Sequence, residues 1–132
     1  MKPKILVIED NEQNLYLITF ILEKNGFAVV SARDGREGID KACDETPSLI
    51  LLDIQLPLMD GYEVARRMRQ IDTVKSIPII AVTSYAMVGD RERSLDAGCT
   101  GYMEKPINPM TFMDEIRKYL PDQRAAKGGE GQ

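Results

Sequence analysis

The chain has 132 residues, enough for one domain with a proper core and too few for two. Its 43% apolar and 29% charged residues match a globular protein and exclude wholesale disorder. A net charge of -4, with acidic and basic residues interleaved, leaves no basic stripe to neutralise phosphates, so no nucleic-acid partner is expected.

Ile5-Leu-Val-Ile8 reads as a strand, followed by a helix from Glu12 to Lys24 that the pair Asn25-Gly26 closes in left-handed conformation. The apolar stretch in that helix, Leu15 to Leu22, is broken by Thr19 and too short to span a bilayer, so no membrane partner is expected. Ala28 to Ala32 is a second strand. Asp34-Gly-Arg-Glu37 opens a helix, with Asp34 as N-cap and Glu37 three positions on. Leu49-Ile-Leu-Leu52 is the continuous apolar run of a strand buried on both faces. Asp60-Gly-Tyr-Glu63 repeats the capping pattern as a plain helix start, for a helix to about Gln70.

Pro78 to Val82 is the fourth strand, a helix runs through Arg91 to Ala97, and Gly98 stops it. Gly101-Tyr-Met-Glu104 is a short fifth strand. Asn108-Pro109, an N-cap followed by proline at the first helical position, begins the last helix, to about Leu120. Strict alternation of five β-α units predicts an α/β fold, a parallel sheet with helices on both faces. Residues 1–120 form this domain, and 121–132, polar and Gly-rich, read as a disordered tail.

The start Met-Lys-Pro-Lys runs into an apolar segment that ends in Glu9-Asp10, unlike a signal peptide. Cys43 and Cys99 lie far apart, and with His 0 the chain offers no His-based zinc site, Ser-His-Asp triad or phosphohistidine. The two cysteines fit small buried hydrophobes in a reducing compartment, and a cytoplasmic protein is expected.

In an open parallel sheet, ligands bind beyond the carboxyl ends of the strands, where strand order reverses. The residues there are Glu9-Asp10, Asp53, Thr83-Ser84 and Lys105-Pro106. Each alone is bland: an Asp after a strand is usually a turn former or cap, a Thr caps the next helix, a Lys is solvated. Together they are not. Two carboxylates ~5 Å apart repel by roughly 3 kcal/mol at an effective dielectric of about 20. If Glu9, Asp10 and Asp53 converge, a hard divalent cation such as Mg²⁺ resolves the repulsion. One carboxylate could then act as nucleophile, with Thr83 and Lys105 holding phosphoryl oxygens.

The runs Ile-Glu9-Asp10-Asn, Leu-Leu-Asp53-Ile-Gln-Leu-Pro57-Leu-Met-Asp60-Gly61, Ala-Val-Thr83-Ser and Lys105-Pro106 resemble the CheY-like receiver domain of response regulators. The order and spacing of these motifs match over residues 4 to about 120. The opening Glu9-Asp10-Asn11-Glu12-x-Asn14 is further similar to stand-alone DivK-like regulators and to receivers of hybrid kinases. The resemblance implies a flavodoxin-like, doubly wound sheet of order 2-1-3-4-5 with five helices, and a cis Lys105-Pro106 bond.

It also implies that Asp53 is the phosphoacceptor, that Asp10 and Asp53 bind Mg²⁺ directly, that Glu9 does so through water, and that the Gln55 backbone carbonyl completes the set. Thr83 and Lys105 would grip the phosphoryl group. Tyr102 matches an aromatic switch position that turns inward as Thr83 moves; packing alone could equally explain a half-buried strand tyrosine. Gln55 and Tyr85, two residues beyond Asp53 and Thr83, flank the site and influence phosphoryl lifetime, although Tyr85 could serve packing or partner contact.

Rival chemistries find less support. A phosphatase of the haloacid dehalogenase type wants a second acid two positions after the nucleophile, where Gln55 stands. A flavin mononucleotide carrier wants a Ser/Thr/Gly-rich loop after the first strand, where Glu9-Asp10 would repel the phosphate, and no P-loop is present. A receiver that has lost phosphorylation is opposed by the intact site. The expected protein is therefore a phosphorylatable switch of a two-component or phosphorelay system. It is not a conventional enzyme, and promotes only its own phosphorylation and dephosphorylation. Its phosphoryl group would come from a histidine kinase or phosphotransfer protein, and its output would be contact with a downstream protein.

The first helix suggests where that partner docks. At 100° per residue its apolar side chains point almost all the way round. Leu17, Ile18 and Ile21, with Asn14 at the site end, form the sheet-facing stripe, with Leu15 and Leu22 on one flank and Tyr16 with Phe20 on the other. One flank should pack on the last helix. Leu15 and Leu22, with Pro106 and Ile107, are predicted to be the docking surface.

Overall fold

In the computed structural model, which describes residues 2–84 and 89–120, the short apolar runs are strands and the segments between them are helices. The strands are β1 (Lys4–Ile8), β2 (Ala28–Ala32), β3 (Leu49–Asp53), β4 (Ile79–Thr83) and β5 (Gly101–Glu104). The helices are α1 (Glu12–Lys24), α2 (Gly35–Glu45), α3 (Gly61–Met68), α4 (Asp90–Ala97) and α5 (Pro109–Lys118). The expected tail and Tyr85 lie outside the described residues.

All strand pairs are parallel, in the order β2-β1-β3-β4-β5. The chain runs from β1 outward to β2, then returns past β1 to β3, so strand order reverses between β1 and β3. Register places Ile8 beside Leu52 and Asp53 beside Val82. The carboxyl ends of β1, β3 and β4 are thereby neighbours, although their residues are tens of positions apart in the chain.

Successive side chains of a strand point to opposite faces, and both faces are covered here. Leu6, Ile8, Ile50, Leu52, Ile79 and Ala81 pack with Ala42 of α2, Val64, Ala65 and Met68 of α3, and Ala97 of α4. Ile5, Val7, Leu49, Leu51, Ile80 and Val82 pack with Ile18, Ile21 and Leu22 of α1 and with Phe112, Met113 and Ile116 of α5. Each large side chain buried in this way stabilises the fold by about 1.5–3 kcal/mol. No alternation is visible in β3 because neither face meets water.

The expected caps form: the backbone N–H of Glu37 donates to Asp34 at 2.8 Å, that of Glu63 to Asp60 at 3.0 Å, and that of Met110 to Asn108 at 2.9 Å. Each contributes about 1 kcal/mol. At the end of α1 only Gly26 is left-handed, with φ 91; Asn25 has φ -100, because its backbone N–H still bonds to Ile21 and Leu22 carbonyls and it stays on the helix. The helix α3 ends two residues early, at Met68. The Arg69 guanidinium turns away to donate to the carbonyls of Gly98 (2.7 Å), Lys75 (2.9 Å) and Ile77 (2.7 Å), tying α3 to the end of α4.

The first helix corrects the docking expectation. Leu22 is fully buried and Ile107 is 7% exposed, so neither can present a surface. They lie in the core beneath α1 and α5, together with Phe27 and Phe112. The flank left outside is the other one, with Tyr16 at 74% and Phe20 at 53% exposure. Leu15 is half-buried and Pro106 exposed.

Candidate functional site

Asp53 is the last residue of β3 and is 3% exposed. Its Oδ1 accepts the Gln55 backbone N–H at 3.0 Å, and its Oδ2 lies 3.4 Å from Lys105 Nζ. Glu9, just past β1 and 2% exposed, receives the same ammonium at 2.9 Å on Oε1 and the Asn11 N–H at 3.2 Å on Oε2. Exposed Asp10 supplies the third carboxylate, and one oxygen of each of the three acids lies within 4.8 Å of the others. Lys105 reaches inward from just beyond β5, next to the Lys105-Pro106 bond, which is cis as expected.

Three carboxylates and one ammonium leave the cluster net negative. Burial, followed by repulsion from Asp53, holds the Glu9 carboxyl above its ordinary 4.5, against the opposing hydrogen bond from Lys105. The site is therefore short of positive charge. Its donors are all oxygens, the set a hard cation such as Mg²⁺ prefers, and the residues fit that ion.

Thr83 ends β4 and is 2% exposed. Its Oγ1 accepts from Gln55 Nε2 at 2.7 Å, while Gln55 Oε1 accepts the Ser84 N–H at 3.2 Å. The Lys105 N–H donates to the Thr83 carbonyl at 2.7 Å, which seats the lysine backbone beside the end of β4. Tyr102 is half-buried, packs on the α2–α3–α4 side, and carries the Arg91 guanidinium 5.9 Å from its ring centre. Glu9, Asp10, Asp53, Gln55, Thr83 and Lys105 are thus gathered in one place, with Tyr102 a strand away.

Two features of the site escaped the sequence reading. The Gln55 side chain binds Thr83 and Ser84 directly, where the expectation was a backbone carbonyl for Mg²⁺ and a flanking influence on phosphoryl lifetime. Gly61 is more than a helix start: a Cβ there would sit 2.7 Å from the Asp53 carbonyl oxygen and 2.7 Å from Ile54 Cα. Only glycine lets the loop fold back against the end of β3. Gly35, the glycine of the other Asp-Gly-x-Glu segment, is likewise pressed against Val64, whose Cγ2 lies 2.5 Å from where a Cβ would stand. An Asp-Gly pair marks a cap in sequence, whereas the close approach behind it is a tertiary fact.

An open parallel sheet of this order, with an acidic cluster at its reversal point and a lysine opposite, defines a phosphoryl-accepting signalling domain. The family described as response regulator receiver domain matches residues 5–117, and the chain belongs to it. It is a phosphorylatable signalling switch of two-component systems. The chain is 41% identical to the polar-differentiation response regulator DivK of Brucella anthropi over 122 residues, 92% of this chain and 99% of that protein.

Among solved structures it is similar to the chemotaxis protein CheY4 of Vibrio cholerae, with TM-score 0.86, 28% identity, and coverage of 91% of this chain and 100% of that one. It also resembles the receiver domain of a Pseudomonas aeruginosa sensor histidine kinase, with TM-score 0.84, 32% identity, and coverage of 91% and 98%. That structure has a magnesium ion coordinated in its active-site cleft. Among the described residues, no helix is long and apolar enough to cross a membrane.

Proposed function

We propose that Asp53 is the phosphoacceptor and takes its phosphoryl group from a phosphohistidine on a histidine kinase or phosphotransfer protein. An Asp53 carboxylate oxygen attacks phosphorus, the phosphorus–nitrogen bond breaks, and the leaving imidazole nitrogen takes up a proton, leaving an acyl phosphate. The observation that carries this reading is the convergence of Glu9, Asp10 and Asp53 within 4.8 Å, with Lys105 reaching both Glu9 and Asp53.

Lys105 holds a phosphoryl oxygen once it loosens from Glu9, and Thr83 offers its hydroxyl from the neighbouring strand. Asp10, Asp53 and the Gln55 backbone carbonyl would hold Mg²⁺, with Glu9 acting through water. When bound, Mg²⁺ neutralises the charge on the transferring phosphoryl oxygens. Tyr102 responds to the movement of Thr83. The chain's catalysis is confined to itself: acceptance from a donor, including small phosphodonors, and slow hydrolysis. It signals in the cytoplasm by contact with a downstream protein, not through nucleic acid or membrane. The histidine-bearing partner docks at Leu15 and Pro106 and extends along the exposed flank of α1 that carries Tyr16 and Phe20.

Mass spectrometry after incubation with acetyl phosphate, with and without Mg²⁺, tests the reading. One acid-labile phosphate is expected on the wild type with Mg²⁺ and none on Asp53→Asn, which keeps size and fold but lacks the nucleophile. Phosphate persisting on that variant would overturn the assignment. Steady turnover of small phosphate esters by the wild type would favour a phosphatase instead.

A further inference from the structure

The Gln55 side chain occupies the ground between Asp53 and the end of β4. Its amide nitrogen donates to Thr83 Oγ1 at 2.7 Å and its amide oxygen accepts the Ser84 N–H at 3.2 Å. The backbone N–H of the same residue donates to Asp53 Oδ1 at 3.0 Å. One residue therefore bridges the acceptor carboxylate and two polar groups of the neighbouring strand end. A phosphoryl group added to Asp53 would bring strong acceptor oxygens to this end of the sheet. They call on the Ser84 N–H, which the Gln55 amide oxygen now holds, and on the O–H of Thr83, whose oxygen the Gln55 amide nitrogen now tethers.

We propose that the Gln55 side chain is a latch: its amide oxygen competes with the phosphoryl group for the Ser84 N–H, and its amide nitrogen, donating to the Thr83 hydroxyl oxygen, holds the end of β4 in its resting position. The inference rests on the reading of Asp53 as phosphoacceptor, and gives Gln55 a positioning role that acts through Thr83 and Ser84. The latch is releasable. Hydrogen bonds to a charged phosphoryl oxygen are about twice as strong as those to a neutral amide, so the phosphoryl wins once it is present. The displaced side chain is already exposed and exchanges its partners for water. Before transfer the latch opposes the reaction, because the Ser84 N–H must be released, and Thr83 shifted from its tethered position, as the phosphoryl arrives.

Gln55→Met keeps the length of the side chain and deletes both hydrogen bonds; Gln55→Ala removes the side chain altogether. Both leave the backbone N–H and carbonyl in place. The full chain, with Mg²⁺, is titrated with beryllium fluoride, a phosphoryl mimic whose binding is an equilibrium free of hydrolysis. Nuclear magnetic resonance reads saturation and the exchange of the Ser84 amide proton. The net worth typical of one neutral hydrogen bond, that of the contested Ser84 N–H, predicts that half-saturation falls by about two- to tenfold in both variants. Faster labelling by acetyl phosphate and faster Ser84 exchange in the resting protein are expected with it. Unchanged or weaker binding in both variants, with the wild type binding normally, overturns the latch alone. A wild type that neither binds the mimic nor accepts phosphate overturns the Asp53 reading and the latch with it.

Discussion

Lys105 sits closer to Glu9 than to the residue it is expected to assist: its ammonium is 2.9 Å from Glu9 Oε1 and 3.4 Å from Asp53 Oδ2. All three side chains are nearly or fully buried, with exposures of 9%, 2% and 3% for Lys105, Glu9 and Asp53. In the resting protein this lysine therefore offsets the repulsion of two buried acids. Removing one partner of a buried ionic group costs about 3 kcal/mol. Lys105→Met should lose about that much stability in metal-free buffer and recover a large part of it with Mg²⁺, which binds the folded state. Urea denaturation with and without the ion measures both quantities, and an equal loss under the two conditions would count against the charge account.

Glu9 makes the stability of the metal-free protein depend on pH. Burial and Asp53 hold its carboxyl above the ordinary 4.5, so the folded protein retains a proton that the unfolded chain has already released. The native state then binds more protons, and stability falls as pH rises. The contribution is fully present below 4.5 and is lost as pH climbs through the raised folded value. Wild type should lose stability relative to Glu9→Gln across that window, and saturating Mg²⁺ should narrow the difference. A difference that stays flat with pH would sink this account.

Mg²⁺ should stabilise the wild type more than Asp10→Asn. Asp10 is exposed, so its replacement barely disturbs the apo fold while taking one carboxylate from the cluster. Calorimetry with Mg²⁺ titrated against both proteins is the check. Equal responses would remove Asp10 from the proposed ligand set.

Gly61→Ala should damage the site from behind. Its Cβ would meet the Asp53 carbonyl oxygen and Ile54 Cα, both at 2.7 Å, and backbone cannot swing aside as a side-chain tip can. Overpacking of this kind costs about 1–3 kcal/mol. Slower labelling by acetyl phosphate should accompany the loss, since the end of β3 carries the nucleophile. Wild-type labelling in a measurably destabilised variant would show that the loop yields without moving Asp53.

The two flanks of α1 should separate stability from recognition. Leu22→Ala empties a fully buried position and should cost about 2–5 kcal/mol. Tyr16→Ala and Phe20→Asp change exposed positions. They should slow phosphotransfer from a cognate histidine donor several-fold while leaving acetyl phosphate labelling unchanged. If both rates fall together the site was damaged, and if neither falls the partner docks elsewhere.

The alternation of strands and helices, the caps at Asp34, Asp60 and Asn108, and the grouping of Glu9, Asp10, Asp53, Thr83 and Lys105 were all legible in the sequence. They depend on local rules: the period of apolar residues, capping chemistry, and the fact that parallel strands present their carboxyl ends on one edge. Three other facts required the folded chain. Helical periodicity fixes the direction of Leu22 and of Phe20 around α1 but not which direction meets α5, so the covered flank was misread. An Asp-Gly pair announces a helix start, yet the crowding at Gly61, where a Cβ would stand 2.7 Å from the Asp53 carbonyl oxygen, arises only when the loop returns to the strand. Gln55 and Thr83 are 28 positions apart, and their hydrogen bond exists because β3 and β4 pair in one register. Local sequence sets what each residue can do, while the sheet sets which residues are close enough to do it together.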